Sequence, residues 1–235
     1  LSTVQAVLLS NCTNVTFRRC SFLGNVNPSG RAIGITNSGS LASRILFEDC
    51  DFGCNSNGGS GAALMVGAGS FVQINGGDFS GNNSGAGGRG GAINVQRGAD
   101  LVISGTNFMR NQSPGIGSSV DGGGAIFVDG ASTTLQTNVL IDNCNFFQNT
   151  ASATARGGAI VCIGNSSAIS RSNTIIQNSR FEMNGGARGG AVMGLNCTAT
   201  FNNNVFLNNQ SAALTDSPNS RGGALHFQNT AGNYT

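Results

Sequence analysis

The stretch Gly90-Gly91-Ala92-Ile93-Asn94-Val95-Gln96-Arg97-Gly98-Ala99-Asp100-Leu101-Val102-Ile103-Ser104-Gly105-Thr106-Asn107-Phe108-Met109-Arg110-Asn111 decides the fold. Ile93 and Val95 alternate with Ala92, Asn94 and Gln96, which is the period-two pattern of a strand. Arg97-Gly98-Ala99 turns the chain, and Leu101 and Ile103 make a second strand. Gly105-Thr106 then leads into Phe108, and Asn111 ends the unit.

Outward from this unit, both of its halves recur about every 30 residues. The opening half reads Arg31-Ala32-Ile33, Ala62-Ala63-Leu64, Gly91-Ala92-Ile93, Gly124-Ala125-Ile126, Gly158-Ala159-Ile160, Gly190-Ala191-Val192 and Gly223-Ala224-Leu225. The closing half places Phe22, Phe52, Phe79, Phe108, Phe146, Phe181 and Phe206, each followed three residues on by Asn25, Asn55, Asn82, Asn111, Asn149, Asn184 and Asn209. A unit of this size cannot bury its own apolar face and must stack on its neighbours. The expected fold is an all-β, right-handed, single-stranded parallel β-helix of about seven coils. Residues 1–235 read as a single β-helix domain, a segment of a longer array or a filament subunit.

Each recurring residue type then has a physical task. Ile, Val and Phe face inward and stack on their own copies. The opening Gly supplies positive φ or close backbone approach. The Asn of Phe-x-x-Asn is expected to hold the left-handed conformation and to bond its amide to the next Asn, forming a ladder. Insertions fall between that Asn and the next Gly, as at residues 112–122 and 210–220, so one edge carries the variation.

Composition narrows the function. Lys is absent, Glu occurs only at Glu48 and Glu182, and 37 Gly are dispersed through the chain, which argues against long amphipathic helices. A net charge of +2 is too small to point to nucleic acid or an anionic membrane. No apolar run approaches the roughly 18 residues that span a bilayer. Residues 4–9 lack a basic lead and a cleavage pattern, and read as a strand; any secretion signal is expected to lie outside this chain.

Gly-Gly-Ala-Ile/Leu/Val alternating with Phe-x-x-Asn resembles the repeat of the chlamydial polymorphic outer-membrane proteins, whose relatives include other large secreted surface proteins. The resemblance covers essentially the whole chain. It implies a right-handed β-helical surface or passenger region serving adhesion or extracellular structure, without a shared active site.

Several constellations are candidates for chemistry or contact. Cys20 and Cys50 each lie two residues before a repeat Phe, one period apart, so they are expected either to form a disulfide or to stack as buried thiols. Seven Cys leave at least one unpaired within the chain, and no Cys-x-x-Cys occurs to suggest zinc. Asp51 and Asp78 directly precede consecutive repeat Phe residues and should stack about 5 Å apart, near the carboxylate spacing of a retaining glycosidase. Trp is absent, Tyr234 and His226 are single, and the row continues to Asn107 and Asn145 rather than to a third acid, so the sequence reads as non-catalytic. Arg89, Arg156, Arg188 and Arg221 each stand three residues before a repeat Ala; such a row is comfortable only if splayed into water or matched by anions. On the outer face of the opening strand fall Gly34, Met65, Asn94, Phe127, Val161, Met193 and His226, an apolar stripe expected to be covered by a partner or by intervening loops. Sequons occur at Asn11, Asn14, Asn82, Asn111, Asn165, Asn196, Asn209 and Asn233, of which Asn82, Asn111 and Asn209 are also ladder positions.

The sequence therefore reads as a non-catalytic extracellular structural β-helix at the cell surface, self-associating through its ends and through Met65, Phe127, Val161, Met193, Arg156, Arg188 and Arg221. An adhesin for a receptor or acidic polysaccharide is the first alternative, and a polysaccharide hydrolase or lyase the second. No cofactor, metal, nucleic acid or transmembrane segment is expected.

Overall fold

The computed structural model describes residues 5–28, 30–38, 43–115, 122–132, 134–152, 154–165, 172–211 and 222–229. Regular structure among them is entirely β, in 28 short strands, and every ladder is parallel. The unit quoted above supplies four: Ile93–Val95, Asp100–Ser104, Asn107–Met109 and Gln112–Ser113. Their counterparts from other coils line up into three long sheets of eight, seven and seven strands, with smaller sheets of four and two at the fourth corner.

The register preserves repeat position. Ile93 pairs with Leu64 below and Ile126 above, Leu101 with Val72 and Val139, and Phe108 with Phe79 and Phe146. A one-residue slip would turn each strand's apolar set outward, so the alternation that marks the strands also locks their register. In the second sheet Val72, Ile74, Leu101 and Ile103 are buried, while Gln73 and Val102 are only partly so.

Inside, the seven repeat phenylalanines form one column. Successive ring centroids lie 4.4 Å (Phe52–Phe79) to 5.0 Å (Phe79–Phe108) apart, and the Phe146 and Phe181 planes are within 1°. Burying each ring contributes about 2–3 kcal/mol from area, and aromatic contact adds about 1 kcal/mol. Phe17 and Phe47 start a second, shorter stack at 5.2 Å, edge-on to the first.

The double glycine has two separate causes. Gly157, first of its pair, has φ +58°, a conformation that costs other residues about 1 kcal/mol or more. Gly124, second of its pair, lacks positive φ but leaves no room: a Cβ there would sit 2.6 Å from the Thr150 carbonyl oxygen and collide with that of Gly158.

The closing turn differs from its expectation. The left-handed residue is the one before the ladder Asn, as at Cys54 (φ 53°), Arg110 (53°), Gln148 (54°) and Met183 (54°). The Asn itself keeps ordinary backbone angles because its side chain folds inward and bonds neighbouring coils. A second left-handed column runs through Arg19, Asp49, Asn143, Asn178 and Asn203 at the preceding corner.

Candidate functional site

The most ordered polar feature is the asparagine ladder. Asn82 Nδ2 donates to Asn111 Oδ1 (2.9 Å) and to the Phe52 carbonyl (2.9 Å), and the Asn82 backbone N–H donates to the same Asn111 Oδ1 (3.0 Å). The pattern repeats from Asn25 through Asn55, Asn82, Asn111, Asn149 and Asn184 to Asn209. Both amide protons and both oxygen lone pairs of an interior member are thereby used, so full burial of Asn55, Asn82, Asn111, Asn149 and Asn184 carries no desolvation penalty for an unmade bond.

This geometry decides three of the sequons. Asn82 and Asn111 have no free Nδ2 proton and no room for a glycan, and half-buried Asn209 donates its Nδ2 to the Phe181 carbonyl (2.9 Å), so these three are unsuited to glycosylation in the folded chain. Asn11 and Asn14 are exposed, Asn165 and Asn196 half-buried, and Asn233 lies outside the described residues.

Carboxylates act as rungs between coils. Asp78 and Asp51 occupy the same position of paired strands, as the register Phe52↔Phe79 requires. Yet Asp78 Oδ1 accepts from Asn107 Nδ2 (2.8 Å), whose Oδ1 accepts from Asn145 Nδ2 (2.9 Å). Similar rungs join Asn138 to Asp100 (2.8 Å), Asn178 to Asp142 (2.8 Å) and Arg97 to Asp129 (3.0 Å). Arg18 pairs with Glu48 across coils, while Arg180 and Glu182 pair at 2.9 Å within one strand. The sequence reading missed the rungs from Asp100, Asp129 and Asp142; repeat position could have found Asp100, which bonds its register partner Asn138, but not the other two, whose partners Arg97 and Asn178 stand one residue out of register. It also missed an open cleft of about 680 Å³ lined by Arg18, Arg19, Glu48, Asp49, Asn75, Gly76 and Ser104, which presents both charge signs side by side.

The arginine row and the apolar stripe prove to be one feature. Arg89, Gly122 and Arg156 bridge successive coils at one position. The Arg89 guanidinium lies 5.1 Å over the Phe127 ring, in cation–π range, and Arg188 Nη1 reaches Gln228 Oε1 at 3.5 Å. Phe127, Val161 and Met193 are fully enclosed and Met65 is 8% exposed, so the stripe is not an open lateral face. Phe127, Val161, Ile163 and Met193 form a second small core with Ala131 and Leu195 against them. The expected contact surface at Met65, Phe127, Val161 and Met193 is thus corrected: the chain buries these side chains itself, a route that apolar area drives as strongly as a partner would. Arg156 is buried too, with Nη1 unpartnered; burial holds its guanidinium below its ordinary value, and the Arg188 charge adds to the effect. Arg221 lies outside the described residues.

Cys20 and Cys50 stack in neighbouring coils, with the Asp51 N–H donating to the Cys20 carbonyl at 2.9 Å, but both are free thiols. In-register parallel stacking separates equivalent Cβ atoms by about 4.8 Å, beyond the roughly 3.8 Å that a disulfide favours, so of the two expected arrangements the disulfide is corrected and the thiol stack is the one found. Burial pushes the Cys50 thiol up, and the wholly internal Cys144 up to about 11. Among the described residues, no group of three or more His, Cys, Asp or Glu converges to hold a metal.

A family model described as a right handed beta helix region matches residues 5–186. No curated protein and no solved structure matches the chain. That match spans most of the sequence and agrees with the parallel winding of the three sheets, and it shows that the chain belongs to the right-handed β-helix family.

Proposed function

We propose that this chain is a non-catalytic structural rod working outside the cell. One observation carries the reading: of the two acids that would have to do chemistry, Asp78 is held by Asn107 along the winding axis while Asp51 stands exposed, and the row continues to Asn145 without a third acid. A retaining acid pair directs both carboxyls at one substrate bond, whereas Asp78 is engaged with Asn107 of the next coil. The resemblance of the Gly-Gly-Ala and Phe-x-x-Asn pairing to chlamydial surface-protein repeats supports an exterior location, as do exposed sequons at Asn11 and Asn14.

The rod meets its neighbours through its ends. Leu23 (62% exposed) and Val26 (75%) in the first coils, and Val205 (46%) and Leu207 (37%) in a late one, are among the most exposed large apolar side chains described. A further coil, from the same chain or from a second copy, would shelter them. Negative-stain imaging of concentrated protein should show rods that lengthen by end-to-end contact; monodisperse short particles at every concentration would remove the self-association. Incubation with acidic and neutral polysaccharides should release no reducing ends or unsaturated sugar. Release that Asp78→Asn abolishes would replace this reading with the hydrolase or lyase one.

A further inference from the structure

Among the described residues, the internal column of the first sheet is broken at one place, and two cysteines from different repeat positions lie there. Val95, Val128 and Cys162 stack inward in register, and the next residue of that column is Gly194, paired directly with Cys162. Gly194 has no side chain to continue the stack, and neighbouring side chains close into the gap. The ring of Phe227, the next residue of the column, occupies most of that space, and the Cys197 Sγ lies 3.0 Å from where a Gly194 Cβ would be. Cys197 therefore reaches back across the corner to a point one coil above Cys162. The two thiols interact directly, and that contact with burial drives the Cys197 thiol upward. Cys162 is fully buried and Cys197 partly so, and both are free thiols.

This pair differs from Cys20 and Cys50. Those two occupy equivalent positions, so stacking holds their Cβ atoms a full coil apart with parallel bond vectors. Cys162 and Cys197 come from unequal repeat positions: Cys197 Sγ lies 3.0 Å from the place of a Gly194 Cβ, and Gly194 is the direct register partner of Cys162, so the register does not hold these two side chains a full coil apart. We propose that Cys162 and Cys197 are the site of an intrachain disulfide that fastens one coil to the next at the place where Gly194 interrupts the column. The reaction breaks two S–H bonds and makes one S–S bond; two electrons and two protons pass to a small-molecule disulfide, which leaves as two thiols. Exchange occurs while the corner is open during folding, since the finished structure encloses Cys162.

The test is refolding of the whole chain in a mixture of oxidised and reduced glutathione, followed by alkylation and non-reducing peptide mapping. The expected result is a cross-linked pair of peptides carrying Cys162 and Cys197, two hydrogens lighter than their sum. Reductant should then lower the unfolding midpoint by about 6–12 °C. Cys162→Val, which matches Val95 and Val128 in the column, should abolish that reductant sensitivity, and Cys197→Ala should do the same if the valine variant does not fold. Alkylation of both thiols after oxidative refolding, or a cross-link that joins either of them to another cysteine instead, would overturn the assignment. The outcome is independent of whether the rod is catalytic.

Discussion

Asn149 Oδ1 accepts both the backbone N–H of Asn111 (3.1 Å) and its side-chain Nδ2 (2.9 Å), while Asn149 Nδ2 donates in turn to the Phe108 carbonyl (2.9 Å). The second Nδ2 proton goes to Asn184 Oδ1 (3.0 Å) in the next coil, so one carboxamide ties three coils, and its chemistry is specific. An acid of the same shape offers no amide donors and brings a charge into a dry interior.

Asn111→Asp is expected to destabilise the fold by about 3–5 kcal/mol, since it loses the donors to Phe79 and Asn149 and buries a carboxyl. Denaturant titration measures this directly. A loss below about 1 kcal/mol would mean that the ladder contributes order rather than stability.

Two glycine substitutions separate strain from collision. At Gly105, φ is +63° with nothing within 4 Å of a new Cβ, so Gly105→Ala should cost about 1 kcal/mol from backbone strain alone. At Gly124 the backbone tolerates Ala, but the Cβ meets Thr150 and Gly158, and a loss of about 3 kcal/mol or more is expected. Equal losses at both sites would contradict the assignment of separate causes.

Arg156 is a buried cation beside Arg188, with Nη1 unpartnered. Its replacement by an unbranched apolar side chain keeps the packing and removes the desolvated charge. Arg156→Met should therefore raise stability by about 1–2 kcal/mol, seen as a higher thermal midpoint. A lower midpoint would show that the guanidinium is matched by an interaction stronger than its burial cost.

Alkaline pH should weaken the protein through Cys144. Its thiol ionises at about 11 in the folded chain, against an ordinary 9.0, so between those values the folded state keeps a proton that the unfolded state has lost. Stability from this group is complete below about pH 9 and disappears as pH rises through 11, with a total of about 2–3 kcal/mol. Cys144→Ala should flatten that part of the pH–stability curve; an unchanged slope would assign the alkaline loss to other groups.

The sequence by itself determined the winding. Phe22 through Phe206 and the Ala-Ile openings are legible because a solenoid converts equal sequence position into direct contact, so periodicity is already three-dimensional information. The Asn ladder was readable on the same ground, although which turn residue is left-handed was not, since that depends on where the amide finds its partners. Tertiary structure alone decided everything that joins unlike positions. The burial of Phe127 and Met193, the guanidinium of Arg89 resting on Phe127, and the approach of Cys197 to Cys162 through the gap at Gly194 all arise where chain crosses a corner or folds over a face. Repetition in a sequence specifies what stacks along an axis. It carries no record of how far a side chain reaches around that axis, because this is set by the local shape of each turn.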